Sequence, residues 1–123
     1  ILFAGRGGMM DITTSIHAKS DGREIVEPAQ AVLYCLGKGV SLERITLSSD
    51  GNGSIPDFDE QGRLRRLELG RVTSLFAEVR DAVQQERVPL ATALQVITSN
   101  PAQSLRLRGK GQLAAGADAV QIR

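Results

Sequence analysis

The sequence predicts an α/β fold, and three observations carry that expectation. A β-branched run at residues 9–16 is followed by a helical apolar face. A second run at residues 44–49 is again followed by apolar positions at helical spacing. The apolar share, 41% before the 13 glycines are added, is that of a chain able to bury a core. Strand–helix alternation gives parallel strands joined by right-handed crossovers. No fixed-period repeat and no low-complexity stretch interrupts this order.

The elements follow in turn. Gly5, Gly7 and Gly8 make the opening flexible. Ile12, Thr13, Thr14 and Ile16 suit a pleated surface, which places a strand over residues 9–16. Residues 17–26 are polar and read as a loop around Ser20-Asp21-Gly22. Pro28 suits the first turn of a helix, where its missing N–H would be unpaired anyway. Ala29, Val32, Leu33 and Leu36 lie at i, i+3, i+4 and i+7 on one face. Cys35, at the edge of that face, reads as a small buried hydrophobe. Gly37 or Gly39 ends the helix in a left-handed cap. The second strand, residues 44–49, points Ile45 and Leu47 inward. It stops at Ser48-Ser49-Asp50-Gly51-Asn52-Gly53-Ser54, a dense turn signal. A polar loop is expected to about Glu68. Val72, Leu75, Phe76, Val79 and Val83 then mark a helix ending near Arg87. Pro89 opens another, with Leu90, Ala93, Leu94 and Ile97 on one face. Asn100-Pro101 reads as cap and first turn of a short helix through about Leu105. The tail, residues 109–123, has three glycines and a weakly alternating end.

Composition excludes several function classes. Fifteen Lys+Arg against 14 Asp+Glu leave a net charge of +1, with no basic excess for nucleic acid. Aromatics at 3% give no stacking platform. One cysteine excludes a disulfide framework, and one histidine excludes a metal site built mainly from His of these residues. No apolar run approaches the roughly 20 residues of a membrane span. The chain opens on Ile1 without a signal-peptide pattern, and its last residues read like a strand cut short. A piece of a larger cytoplasmic protein is therefore expected.

The chemistry-bearing candidates gather around the second strand. In parallel α/β folds ligands sit at the carboxyl ends of strands, which points at Asp50. Gly51 and Gly53 let backbone approach a ligand closely, and Asn52 and Ser54 add short polar groups. Asp, Gly, Asn and Ser are equally the ordinary residues of a turn. A calcium loop fails, because Ile55 stands where Gly is needed and Gln61 where Glu is needed. His17, just past the first strand, reads as a solvated residue or as a lone ligand at the same mouth. Asp11 reads as a strand-start cap or a buried partner. Ser48 and Ser49 lack a nucleophile elbow. Arg63, Arg65 and Arg66, flanked by Glu60 and Glu68, read as a solvated face. Lys110 lacks the surroundings of a phosphate loop.

Three segments together resemble the isoaspartyl dipeptidases (β-aspartyl peptidases) of the amidohydrolase superfamily. They are Met10-Asp11-Ile12-Thr13-Thr14-Ser15-Ile16, Arg44-Ile45-Thr46-Leu47-Ser48-Ser49-Asp50-Gly51-Asn52-Gly53-Ser54, and Thr98-Ser99-Asn100-Pro101-Ala102 through Gly109-Lys110-Gly111. The Ser-Ser-Asp-Gly-Asn-Gly-Ser string is the most specific of them. The resemblance implies a (β/α)₈ metal-dependent hydrolase barrel leading into a small β-sandwich. Residues 1–108 would supply barrel strands seven and eight with their helices, and residues 109–123 the start of the return to the sandwich. The implied activity is zinc-dependent hydrolysis of β-aspartyl dipeptides by a full-length homo-oligomer. Asp50 would end strand eight beside two zinc ions, take a proton from the attacking metal-bound hydroxide and give it to the leaving amine. Ser54 would contact a substrate carboxylate. The family's metal ligands, a His-x-His pair, a carboxylated Lys and two further His, have no counterpart here and would lie before Ile1. Asp118-Ala119-Val120 stands where Asp-Ala-Asp is usual. Taken alone, the chain is expected to be inactive. The rival readings are a non-catalytic remnant or interaction module, and an amidohydrolase acting on another amide.

Overall fold

The computed structural model describes residues 1–16 and 26–118. His17, the loop around Ser20-Asp21-Gly22 and residues 119–123 lie outside the described residues.

Two strands form the α/β nucleus. β1 (Met10–Thr13) and β2 (Ile45–Ser48) pair in parallel, with Met10 opposite Ile45 and Thr13 opposite Ser48. α1 (Leu2–Gly5) precedes β1, and α2 (Pro28–Gly37) lies between the strands in sequence. Pro28 is the first helical residue, as its ring requires, and Gly39 takes φ +80° just past the end. A 3-10 turn, Leu42–Arg44, leads into β2. An antiparallel hairpin follows, β3 (Ser54–Phe58) and β4 (Leu64–Leu69). Three helices then complete the described chain: α3 (Ser74–Gln84), α4 (Leu90–Gln95) and α5 (Ser99–Ser104).

Strand alternation sorts the β1–β2 ladder into two faces. Ile45 and Leu47 are buried against Val32 and Cys35 of α2, Val40, Ala4 and Val96, with Met10 and Ile12 packed on the same cluster. Cys35 is a buried free thiol within it, the role its place on the helix predicts. Asp11, Thr13, Thr46 and Ser48 project to the other face. A second cluster joins α2, α3 and α4 through Ala29, Val79, Ala82, Val88 and Ala93. Small residues dominate it, which lets the helices approach closely. Buried Glu78 reaches from α3 to the first turn of α2, where its Oε1 accepts the Ala29 N–H at 2.7 Å. That satisfies one of the donors a helix start leaves open.

The edge of β2 that faces away from β1 is also covered. The Leu47 N–H donates to the Val96 carbonyl at 3.0 Å. The Asn100 amide donates to the Ile45 and Leu42 carbonyls, both at 2.7 Å.

Four sequence expectations need correction. The stretch expected to be a loop up to Glu68 is largely the β3–β4 hairpin. Its alternation is hidden because Arg65 is an extra residue: Asp57 faces Arg66 but Phe58 faces Leu64. The first strand is shorter than expected, since the chain turns at Thr14 and Ser15. The core face of α3 is Leu75, Glu78, Val79, Ala82 and Val83; Val72 precedes the helix and Phe76 is 76% exposed. Asn100 is not a cap but lies inside α5, 1% exposed, because its amide is spent on the carbonyls of Leu42, in the 3-10 turn, and Ile45, at the start of β2.

Candidate active site

The carboxyl ends of β1 and β2 form a mouth of short polar side chains. β2 ends at Ser48, and Ser49 and Asp50 follow. Asp50 turns the chain off the sheet with φ +47°, in the left-handed region that Asp tolerates better than most residues. The Gly53 N–H closes the turn on the Asp50 carbonyl at 2.9 Å, with Asn52 at φ +65° in the third position. Strain of this kind persists where surrounding structure fixes it, and here it sits on an exposed carboxylate at a strand end.

Three glycines shape the space around Asp50. A Cβ on Gly53 would stand 2.5 Å from the Asp50 Oδ1. A Cβ on Gly70 would stand 2.2 Å from the Asp50 carbonyl oxygen, and one on Gly51 2.5 Å from Val72 Cγ1. Gly70 is part of the site although nothing in its local sequence marks it. The hairpin neck closes there: the Asn52 N–H donates to the Gly70 carbonyl and the Gly70 N–H to the Gly53 carbonyl, both at 2.9 Å.

Ser54, the first residue of β3, pairs with Leu69 and is exposed. It shares the hairpin face of Pro56, Phe58, Leu64, Leu67 and Leu69, so the apolar side of the hairpin begins at Ser54. Beside it, Asn52, Leu69, Gly70, Arg71 and Val72 line an open cleft of about 680 Å³. Arg63, Arg65 and Arg66 are exposed, with Arg66 paired to Glu68, as a solvated face requires.

The β1 side of the mouth is tied down by hydroxyls. The Thr14 N–H and Oγ1 both donate to the Ser48 carbonyl, at 2.8 and 3.2 Å. Ser15 Oγ donates to the Ser49 carbonyl. Thr14 Oγ1 also lies 2.7 Å from Ser74 Oγ, which joins the start of α3 to the mouth. Asp11, expected to be a strand-start cap or a buried partner, is neither: it is exposed within β1 and accepts hydrogen bonds from Thr46 and Ser48.

Among the described residues no three of His, Cys, Asp and Glu come together in a way that could hold a metal ion. Asp50 is surrounded by glycine and serine, so these residues do not by themselves fit a metal. Nor is any described helix long and apolar enough to cross a membrane.

A parallel ladder with a strained carboxylate just past a strand end is the site plan of an α/β protein that acts at its strand termini. Residues 9–122 match the amidohydrolase family, and the chain belongs to it. It is similar to the crystal structure of the beta-aspartyl dipeptidase from the thermophilic, keratin-degrading Fervidobacterium islandicum AW-1, determined in complex with a beta-Asp-Leu dipeptide. The two are 34% identical with a TM-score of 0.78 over 96% of this chain. The chain spans 29% of the length of that one.

Proposed function

We propose that the protein is a zinc-dependent isoaspartyl dipeptidase, to which these residues contribute the proton-transferring carboxylate and one substrate contact. The observation that carries this reading is Asp50. It is an exposed carboxylate held in a left-handed conformation just past β2, in a chain similar to a beta-aspartyl dipeptidase. In this reading β1 and β2 are the seventh and eighth strands of a (β/α)₈ barrel. Residues 1–108 belong to the barrel, and residues 109–123 begin the return to a small β-sandwich. The zinc ions are held by residues outside these 123.

The chain's own chemistry follows from its geometry. The Asp50 carboxylate accepts the proton released when water attacks the amide carbon, and delivers it to the leaving amine nitrogen. Its exposure at the mouth gives it access to both atoms. The glycines beside it leave room for a substrate backbone. Ser54, four residues on, offers a hydroxyl to a substrate carboxylate at the root of the hairpin. The chain's near-neutral charge suits a small dipeptide better than a polyanion.

The test uses the intact protein and Asp50→Asn. The wild type should hydrolyse β-Asp-Leu and leave α-Asp-Leu untouched. The variant keeps size and shape but cannot carry the proton, so kcat should fall by about 10³-fold or more with the fold unchanged. Hydrolysis of a different amide by the wild type would assign another substrate within the family. Wild-type protein that turns over no amide would favour a non-catalytic remnant.

A further inference from the structure

Asp11 occupies the middle of β1, on the ladder face turned away from the helices. Aspartate is disfavoured in strands, where β-branched residues pack better. The residue is exposed, and each of its carboxylate oxygens accepts one hydrogen bond across the ladder. Thr46, directly opposite, donates its hydroxyl to Oδ1 at 2.6 Å, and Ser48 donates its hydroxyl to Oδ2. Hydrogen bonds to an ionised acceptor are the stronger kind. Asp11 is therefore a two-pronged clamp between β1 and the last turn of β2. The clamp does not stand alone. Thr14 holds the Ser48 carbonyl and Ser15 the Ser49 carbonyl. Both residues that precede Asp50 are thus fixed from β1 and the two residues just after it, and the close approach of Gly70 limits the Asp50 carbonyl from the other side.

We propose that Asp11 is a positioning residue for Asp50, acting through Ser48 and Thr46. It sets where the strand ends and so where the proton-carrying carboxylate stands over the mouth. This rests on the dipeptidase reading given above. Ser48 lies two residues before Asp50, so freeing its side chain loosens the strand end, which Thr14 still holds by the Ser48 carbonyl. A displacement of about 1 Å at a reacting group lowers rates by about 100-fold, which is the scale at stake.

The test compares Asp11→Ala, Asp11→Asn and Ser48→Ala with the double variant Asp11→Ala/Ser48→Ala in the intact protein. If Asp11 positions Asp50, kcat for β-Asp-Leu falls about 10- to 100-fold while KM stays within about threefold. The double variant then loses little more than Asp11→Ala, because both changes remove one interaction. Asp11→Asn, which keeps size and one acceptor, falls between wild type and Asp11→Ala and guards against a variant that fails to fold. A crystal structure of Asp11→Asn should show Asp50 displaced relative to β1. Wild-type kcat in all variants, or a loss matched by the unfolded fraction with Asp50 in place, overturns the proposal while leaving the dipeptidase reading intact. If the wild type hydrolyses no β-aspartyl dipeptide, that reading has failed, and the position of Asp50 in the variant crystal decides the clamp by itself.

Discussion

Gly70 bears on the site through its missing side chain alone. Its Cα lies so close to Asp50 that a methyl group would sit 2.2 Å from a backbone oxygen, and backbone cannot swing aside as a side-chain tip can. Gly62 offers the opposite case. It has φ +76° at the tip of the hairpin, but nothing lies within 4 Å of an added methyl. Gly70→Ala is expected to destabilise the intact protein by about 1–3 kcal/mol, the usual cost of overpacking, and to lower turnover because Asp50 is the atom group pushed. Gly62→Ala should cost about 1 kcal/mol through backbone strain and leave kcat alone. Paired thermal melts and rates check this. Equal effects on kcat from the two variants would remove Gly70 from the site. Neither outcome could be read from sequence, because the neighbour that makes Gly70 obligatory is twenty residues away.

The elements divide into those whose partners are local and those whose partners are distant. α2 was legible because Pro28, the apolar spacing and Gly39 all act within one helix. β1 and β2 were legible from their β-branched runs, and Asp50 from the turn it opens. The hairpin was not. Its bulge at Arg65 puts Leu64 and Leu67 on one face at odd spacing, which defeats a search for period two. Asn100 differs from its sequence expectation for a similar reason. Next to Pro101 it has the signature of a cap, yet its partners lie 55 and 58 residues earlier in the chain. It fastens α5 to the start of β2, and Gln95 Nε2 donates to its Oδ1 at 3.1 Å. Asn100→Ala leaves two carbonyls without that donor at a site that excludes solvent, so a loss of about 2–4 kcal/mol is expected. Asn100→Asp keeps the shape but turns the donor into an acceptor facing two carbonyls, and should be at least as damaging. Urea midpoints of the two variants test this. An aspartate variant as stable as the wild type would show that shape, not the amide hydrogens, holds α5 to β2.

On the scale of the whole molecule, the described surfaces do not balance. One face of the hairpin exposes Phe58, Leu64, Leu67 and Leu69, at 47%, 57%, 57% and 62%. Leu2 and Phe3 stand out from α1 at 83% and 66%. Among the described residues β1 pairs only with β2, which leaves the amides of its other edge without a strand. Contiguous apolar patches and unpaired strand edges promote association. In the barrel reading both are covered by further polypeptide, and the free β1 edge takes the preceding strand, the sixth. On the far edge of β2 the Leu47 N–H and the Ile45 carbonyl are already engaged, by the Val96 carbonyl and the Asn100 amide. The 123 residues produced by themselves should therefore bind a dye that reports apolar surface, and should elute from a sizing column well above monomer. They should also leave β-Asp-Leu uncleaved in the presence of zinc. Leu67→Lys, which puts a charge in the centre of the hairpin face, should shift the chain toward monomer without altering its helix content. In the intact protein the dye should find little to bind. A chain of these residues that is monomeric, binds no dye and keeps its helix content would mean that the hairpin face and the β1 edge are stable in water, and the barrel reading would lose its physical motive.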